Sequence, residues 1–543
     1  MASPTFTIQS EKKLSIFLNT AFLFLITFYF GTLYFVDQSN DSTIPTNSLV
    51  LNEIRSGKDC SGVHNYSDDE SKCMFGCRPK GYINYLLIFY CTCGQFPLLG
   101  HTILLLWLLV LFYLLSDTAA KYFCASLESL SRILKLSPTI AGITLLSLGN
   151  GASDVFASIV SFTRSAGSGD VGLNSILGGA FFVSSTVVGV ISILINPKEI
   201  SVDRPSFIRD ALFFLFTLSS LLLIILIGKI TIWGAFCFLS IYLCYVCTVS
   251  VMHFLDAKKV GKMKLLVVPT HPVSNSFSVH SFDDFSCELG VPLLGYVDDE
   301  KPISVAKITH EEQTPVFFNL DSSTCFYFAI CSSQRDKNMG SRGSLVAYLT
   351  GGVIGMVLGN IALVTTKTAS PPKKCLLPWL ASGFLMSVAW TYITAEELIS
   401  LLVSAGYIFG INPSVLGLTV LAWGNSLGDL IVNAAMAMNG GADGTQIAIS
   451  GCYAGPMFNT LVGLGLSLGL ASWSEYPFSY VIPSDPSLYE TIGFLMGGLL
   501  WALVVLPRRN MKLDRFLGGG LLAIYFCFLF TRVARFLVFP NFK

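Results

Sequence analysis

Residues 136–154, LSPTIAGITLLSLGNGASD, and residues 411–429, INPSVLGLTVLAWGNSLGD, are two copies of one segment. They align without a gap at an offset of 275 (429 − 154). Pro138 falls on Pro413, Gly142 on Gly417, Thr144 on Thr419, Gly149-Asn150 on Gly424-Asn425, and Asp154 on Asp429. Leucines match by composition alone in any two apolar segments. Pro, Gly, Asn and Asp held in register do not, so the chain carries an internal duplication with one aspartate per copy.

Both copies lie in apolar surroundings. Hydrophobic residues make up 52% of the 543 positions and charged residues 13%, with a mean hydropathy of +0.64. Soluble domains carry about 25% charge, so this composition belongs in a bilayer. A formal net charge of zero gives no electrostatic case for nucleic acid. The partners expected are membrane lipid and inorganic cations, the latter as substrates. About 20 apolar residues cross the hydrocarbon core as a helix. Such stretches read near 98–116, 139–163, 171–195, 207–228 and 230–254, and again near 376–403, 413–438, 445–472, 489–507 and 516–538.

The expected organisation is an N-terminal signal anchor or signal peptide over 1–36, a lumenal or extracellular loop over 37–81, and a first repeat over 82–254. A cytosolic loop with a membrane-associated segment then occupies 255–375, and a second repeat 376–540. Basic residues flank the apolar stretch 343–364 on both sides, so it is expected not to make a single full crossing. With Lys12 and Lys13 inside, the next inside loops carry Lys121, Arg132 and Lys135, then Lys198, Arg204 and Arg209, then Lys258, Lys259, Lys262 and Lys264. This agrees with the positive-inside bias. The two copies then run in opposite directions, an inverted-topology repeat of the kind secondary transporters place around a midplane site. The fold class expected is all-α and polytopic, with two inverted repeats of five transmembrane helices plus the N-terminal signal-anchor helix.

Asn150 and Asp154 stand four residues apart, as do Asn425 and Asp429, and residues i and i+4 share a helix face. One turn further lie Ser158 and Asn433. An uncompensated aspartate at mid-helix costs about 2.5–3.5 kcal/mol on insertion scales, and no basic residue interrupts either motif helix. A permeant cation is the missing counter-charge. Gly149 and Gly424 are expected to loosen the helices and offer carbonyl oxygens, the alternative being close helix packing. Asn459, in the helix after the second copy, supplies a further oxygen where the first copy has Val183. Carboxylate, amide, hydroxyl and carbonyl oxygens suit Ca²⁺ or Na⁺ rather than soft metals. The expected metal ligands are Asp154 and Asp429, holding the transported cation, with Gly149, Asn150, Ser158, Gly424, Asn425, Asn433 and Asn459 completing the ion-binding set. Two buried carboxylates resist closure when empty, so one divalent ion, two monovalent ions or protons would compete for them, and exchange follows. Glu396 and Glu397, also in an apolar span, are either functional or solvated near a cavity and paired with a base.

The histidines show no HExxH spacing, and no cofactor or enzymatic activity is expected. Cys60, Cys73, Cys77, Cys91 and Cys93 mark a disulfide-bearing region. Sequons at Asn40 and Asn65 in the same segment suggest glycosylation on the extracytosolic side. Cys237, Cys244 and Cys247 are expected to pack as small hydrophobes.

Gly-Asn-Gly-Ala-Ser-Asp154 and Gly-Asn-Ser-Leu-Gly-Asp429 resemble the paired alpha-repeat motifs of the sodium/calcium exchanger superfamily. Residues 170–185 (DVGLNSILGGAFFVSS) and 440–465 (GGADGTQIAISGCYAGPMFNTLVGLG) are similar to plant cation/calcium exchangers. The resemblance implies ten core helices in two inverted fives. It also implies exchange of Ca²⁺ or another cation for Na⁺, K⁺ or H⁺, in the plasma membrane or an endomembrane such as endoplasmic reticulum or vacuole. Ser153 stands where such motifs often have proline. The rival reading is an intramembrane aspartyl protease, which Ser426-Leu427-Gly428-Asp429 partly matches, but Asp154 lacks the expected preceding tyrosine.

Overall fold

A computed structural model describes residues 81–119 (without 82 and 95), 123, 126–127, 147–164, 169–266 and 376–538 (without 483 and 484). The expected signal anchor, both sequons, the start of the first motif copy, Lys121 and the 343–364 stretch lie outside these residues.

Among the described residues, nine helices are long and apolar enough to cross a membrane, and a tenth is shorter. In chain order they are α1 (Pro97–Asp117), α2 (Ala152–Arg164), α3 (Gly169–Lys198), α4 (Arg204–Ile227), α5 (Ile232–Met252), α6 (Gly383–Phe409), α7 (Pro413–Asn439), α8 (Gly444–Ser474), α9 (Pro486–Arg508) and α10 (Arg515–Arg535). The boundaries follow from capping chemistry. Asp203 caps α4, its Oδ2 accepting from Ser206 N at 3.0 Å, with Pro205 in the first turn, and Gly228 ends that helix at φ +71°. Asn412 and Asp485 cap α7 and α9 in the same way. Each satisfies backbone N–H groups that no helical partner reaches.

Burial ranks the helices. In their most apolar stretches α3 is 83%, α6 67% and α8 61% buried, against 28% for α1, α5, α7 and α10. The first three lie innermost, and α5 and α10 turn Phe236, Leu243, Phe526 and Phe530 outward, as a lipid-facing surface must. Cys237, Cys244 and Cys247 are exposed on that surface rather than packed inside, because α5 buries only one stripe. Cys91 is disulfide-bonded. Cys93, expected in the same disulfide region, is a free buried thiol.

The two halves are related by inversion, and the loops show it. The α3–α4 loop pairs with the α9–α10 loop, through a bridge of Ser201 to Lys512 and bonds from Val202 N to Met511 O and from Leu513 N to Ile200 O. The α4–α5 loop pairs with the α8–α9 loop, as the two-residue antiparallel strands β1 (Lys229–Ile230) and β2 (Tyr480–Val481). Exchange the two halves and each clamp maps onto the other, on the opposite end of the bundle. The helices obey the same rule, since the second half of α3 packs on α10 and the second half of α8 on α5. The bundle thus carries the inverted architecture read from the duplicated motif, with a two-stranded sheet that hydropathy did not signal. The first clamp holds Lys198, Arg204, Arg509 and Lys512, so the positive-inside bias assigns it to the cytosol.

The clamps face opposite compartments. Single cysteines replacing Lys229 and Lys512 in a cysteine-free background should react with an impermeant maleimide from opposite sides of sealed vesicles. Labelling of both from one side would refute the inverted arrangement.

Candidate functional site

The first motif copy breaks where its glycines are densest. A short helix, Ser147–Asn150, ends at a single-residue turn on Gly151 before α2 begins, and Val155 N picks up the Gly151 carbonyl at 2.9 Å. The second copy behaves differently. Helical winding loosens to a π turn at Gly417–Leu421 and is then regular from Ala422 to Asn439. Gly424 therefore does not unwind its helix. A Cβ there would enter the Phe112 ring of α1, so close packing is the reason for this glycine. Gly417 and Gly178 play the same part between α7 and α3. A Cβ on Gly417 would lie 2.7 Å from the Val171 carbonyl, and one on Gly178 would strike the Leu418 carbonyl.

These close approaches bring α2, α3, α7 and α8 together around Asp154, which is 6% exposed. Asn425 Nδ2 donates to Asp154 Oδ1 and Asn459 Nδ2 to Asp154 Oδ2, both at 2.8 Å. Asn425 thus serves the aspartate of the other repeat rather than Asp429 on its own helix. Asp429 lies half-buried on α7 within electrostatic reach of Asp154. Among the described residues neither aspartate forms an ion pair.

The remaining expected residues fall on the same helices with different roles. Asn433 Nδ2 donates back to the Asp429 carbonyl at 2.8 Å. Ser158 is buried, its hydroxyl 2.9 Å from that of Ser467 on α8, so it ties α2 to α8. Gly149 is buried, and only the backbone of Asn150 is described. Ser153 is buried in a helix that runs regularly through it.

Two oxygens remain without a donor. Asn459 Oδ1 and Ser426 Oγ are buried and unpartnered, and a Cβ on Gly179 would lie 3.2 Å from Ser426 Oγ and 3.8 Å from Asp154 Oδ2. Ser426 was not singled out in the sequence as a ligand. Its signal was its place beside Asn425, where the first copy has Gly151. Asn459 begins a π turn, Asn459–Leu464, and the related helix of the first half has one at Phe182–Val187. Wide turns of this kind cluster at functional positions. Cys452, fully buried near Asp429, is a second residue the sequence did not flag.

Glu396 and Glu397 are buried at 4% and 0% exposure, so neither is solvated. Glu397 Oε2 accepts from the Tyr85 hydroxyl at 2.6 Å and Oε1 from Ile83 N at 3.2 Å. It anchors the segment ahead of α1 to α6.

Comparison with known proteins gives a consistent picture. The family model described as sodium/calcium exchanger protein matches residues 104–251 and 379–534. Cation/calcium exchanger 1 of Arabidopsis thaliana is 49% identical over 98% of both chains. Cation/calcium exchanger 2 of the same plant is 43% identical over 90% of this chain and 93% of its own. The mitochondrial sodium/calcium exchanger protein of Mus musculus is 29% identical over 83% and 85%. The solved H⁺/Ca²⁺ exchanger CAX superposes with a TM-score of 0.43 at 13% identity, covering 83% and 87%.

The packing role of Gly424 has a direct test. Gly424→Ala should destabilise the protein by about 1–3 kcal/mol, the usual penalty of overpacking, and Phe112→Leu in the same chain should recover part of it. A neutral Gly424→Ala in thermal unfolding would contradict this packing.

Proposed function

Because the chain belongs to the sodium/calcium exchanger family, we propose that it is a secondary active antiporter that moves Ca²⁺ against Na⁺, K⁺ or H⁺ by alternating access. What supports this is Asp154, buried and bonded by Asn425 and Asn459, with Asp429 of the other repeat half-buried within electrostatic reach of it. Nothing at that point resembles a protease centre, since both oxygens of Asp154 are engaged by asparagine amides from the opposite repeat.

The geometry suggests how exchange is enforced. With one amide donor on each Asp154 oxygen, the outer lone pairs stay open to a cation. Asn459 turns its amide nitrogen to Asp154, which leaves Oδ1 as an acceptor. Two carboxylates with Asn459 Oδ1 and Ser426 Oγ make a hard-oxygen shell that a divalent ion would fill. Gly149, Asn150 and Asn433 are assigned to its surroundings. A net charge of −2 in a desolvated site is expensive to enclose unpaired. One Ca²⁺ or two monovalent charges remove that barrier, and an empty site does not. Coupling of the two fluxes follows from shared oxygens. The expected substrates are inorganic cations, with no cofactor, in the plasma membrane or an endomembrane.

Counterflow of ⁴⁵Ca²⁺ in proteoliposomes tests the assignment. Asp154→Asn and Asp429→Asn should each abolish exchange in a chain that still folds. Undiminished exchange in both would remove the site. Asn459→Val, which copies Val183 of the first half, should weaken Ca²⁺ uptake by about tenfold, as expected for loss of one buried charge-assisted hydrogen bond together with its ligand oxygen. An unchanged KM for Ca²⁺ would show that Asn459 is structural.

A further inference from the structure

The extracytosolic end of α3 holds a second group of oxygens that the central site does not use. Asp170 stands in the first turn of α3 and Asp485 caps α9, within electrostatic reach of each other. Asn174, one turn into α3 and fully buried, lies between them. Its Nδ2 donates to the Asp170 carbonyl at 2.9 Å and to Asp485 Oδ2 at 3.4 Å. With the nitrogen so committed, Oδ1 is the atom left over, and it is buried without a donor. Asp170 Oδ1 is buried and without a donor as well. Asp485 is better provided, accepting from Ser487 N at 2.8 Å and Ser487 Oγ at 2.5 Å. The Tyr480 hydroxyl borders the group, since a Cβ on Gly169 would lie 3.2 Å from it. Burial, then Asp170 and Glu475, raise the pKa of that phenol and keep it neutral.

The local charges do not cancel. Arg532 and Arg535 both pair with Glu490, and Arg532 is also within reach of Asp485. Among the side chains described at this end, four acids (Asp170, Glu475, Asp485, Glu490) against three bases (Lys229, Arg532, Arg535) leave 4 − 3 = 1 negative charge. Two buried acceptors with no donor beside a surplus carboxylate are the polar deficit that a coordinated cation removes. Another hydrogen-bonding side chain would have to supply two protons, and the neighbours that still hold one, the Tyr480 hydroxyl and Arg532 Nε, bond to neither oxygen.

We propose that Asp170, Asn174 and Asp485 form a second cation site, selective by charge for a hard monovalent ion, Na⁺ or K⁺. It stands apart from the central aspartates. Gly179, which faces Asp154, lies 179 − 170 = 9 residues further along α3, or about 14 Å at 1.5 Å per residue. An ion held there would meet the extracytosolic face first and raise the local supply of cations to the central site.

The test uses the full-length Asp154→Asn/Asp429→Asn double variant, in which the central carboxylates are gone. Thermal unfolding is followed in NaCl or KCl against choline chloride at constant ionic strength, since a ligand that binds only the folded state raises Tm. Stabilisation by Na⁺ or K⁺ should persist in the double variant, be lost on adding Asp170→Asn or Asn174→Leu, and survive Asp170→Glu. No cation-dependent shift in the double variant, or a shift indifferent to Asp170→Asn, overturns the site. A shift given by Ca²⁺ alone overturns the monovalent assignment. In the otherwise unaltered protein, Asp170→Asn should raise KM for the monovalent ion on the extracytosolic face and leave it unchanged on the cytosolic face. An equal change on both faces marks Asp170 as merely structural. Failure of exchange in the central variants bears on the first site only, so the two proposals stand or fall separately.

Discussion

Two carboxylates brought together in a membrane interior set the terms for everything around them. Asp154 and Asp429 come from opposite repeats, and among the described residues no lysine or arginine pairs with either. Amide donors reduce the cost of desolvation without cancelling charge, because Asn425 and Asn459 are neutral. A structural arginine would have stabilised the fold more simply and closed the site for good. The bundle instead leaves both carboxylates without a basic partner among the described residues, which is the opening the proposed transported ion would fill. Close helix crossing is the means. Gly417 and Gly178 let α7 and α3 approach to backbone contact, and that approach places an asparagine of one half on the aspartate of the other.

Much of this was legible in the sequence, for a definable reason. Helices in lipid must satisfy their backbone internally, so length and apolarity report them with little interference from tertiary packing. The spans read at 171–195 and 445–472 became α3 and α8 with ends shifted by only a few residues. The inversion was legible because polar residues in apolar helices are rare enough for a register of Pro, Gly, Asn and Asp to stand out. Pairing across the repeats was not legible. The i,i+4 spacing suggests that Asn425 and Asp429 act as a unit, yet Asn425 reaches over to Asp154. Helical periodicity reports which residues share a face and is silent on which neighbour that face meets. The same limit explains Gly424, where the sequence left loosening and close packing both open and the residue is a notch for Phe112.

The duplication is kept in the frame and relaxed at the centre. Both halves widen to a π turn in their third helix, at Phe182–Val187 and Asn459–Leu464. The asparagine at that turn exists in only one of them, since Val183 is buried and apolar where Asn459 donates to Asp154. At the motif asparagine the helices also differ, with a one-residue turn at Gly151 in the first copy and regular helix through Ser426 in the second. A symmetric scaffold can present equivalent geometry to both compartments. An asymmetric lining lets the bound ion choose among unequal oxygens. The two demands are compatible because the first is met by loops and packing and the second by side chains.

The clamps at the two ends carry that division further. At the cytosolic clamp Lys512 Nζ pairs with Glu199 at 2.6 Å and lowers the pKa of that carboxylate, and Arg509 pairs with Asp514 at 3.6 Å. Both pairs are partly solvated and contribute little to stability. Their effect is to leave the backbone bonds between the loops as the main tie. At the other end the strand pair Lys229–Ile230 with Tyr480–Val481 performs the same mechanical task. Its flank, however, holds Asp170 and Asn174 with oxygens that no donor reaches. Equivalent mechanics with unequal electrostatics is what a carrier of cations between unlike compartments requires. The frame must rock about one centre, while each mouth meets a different concentration of ions. Inversion of the fold supplies the first property, and drift of polar side chains away from that symmetry supplies the second.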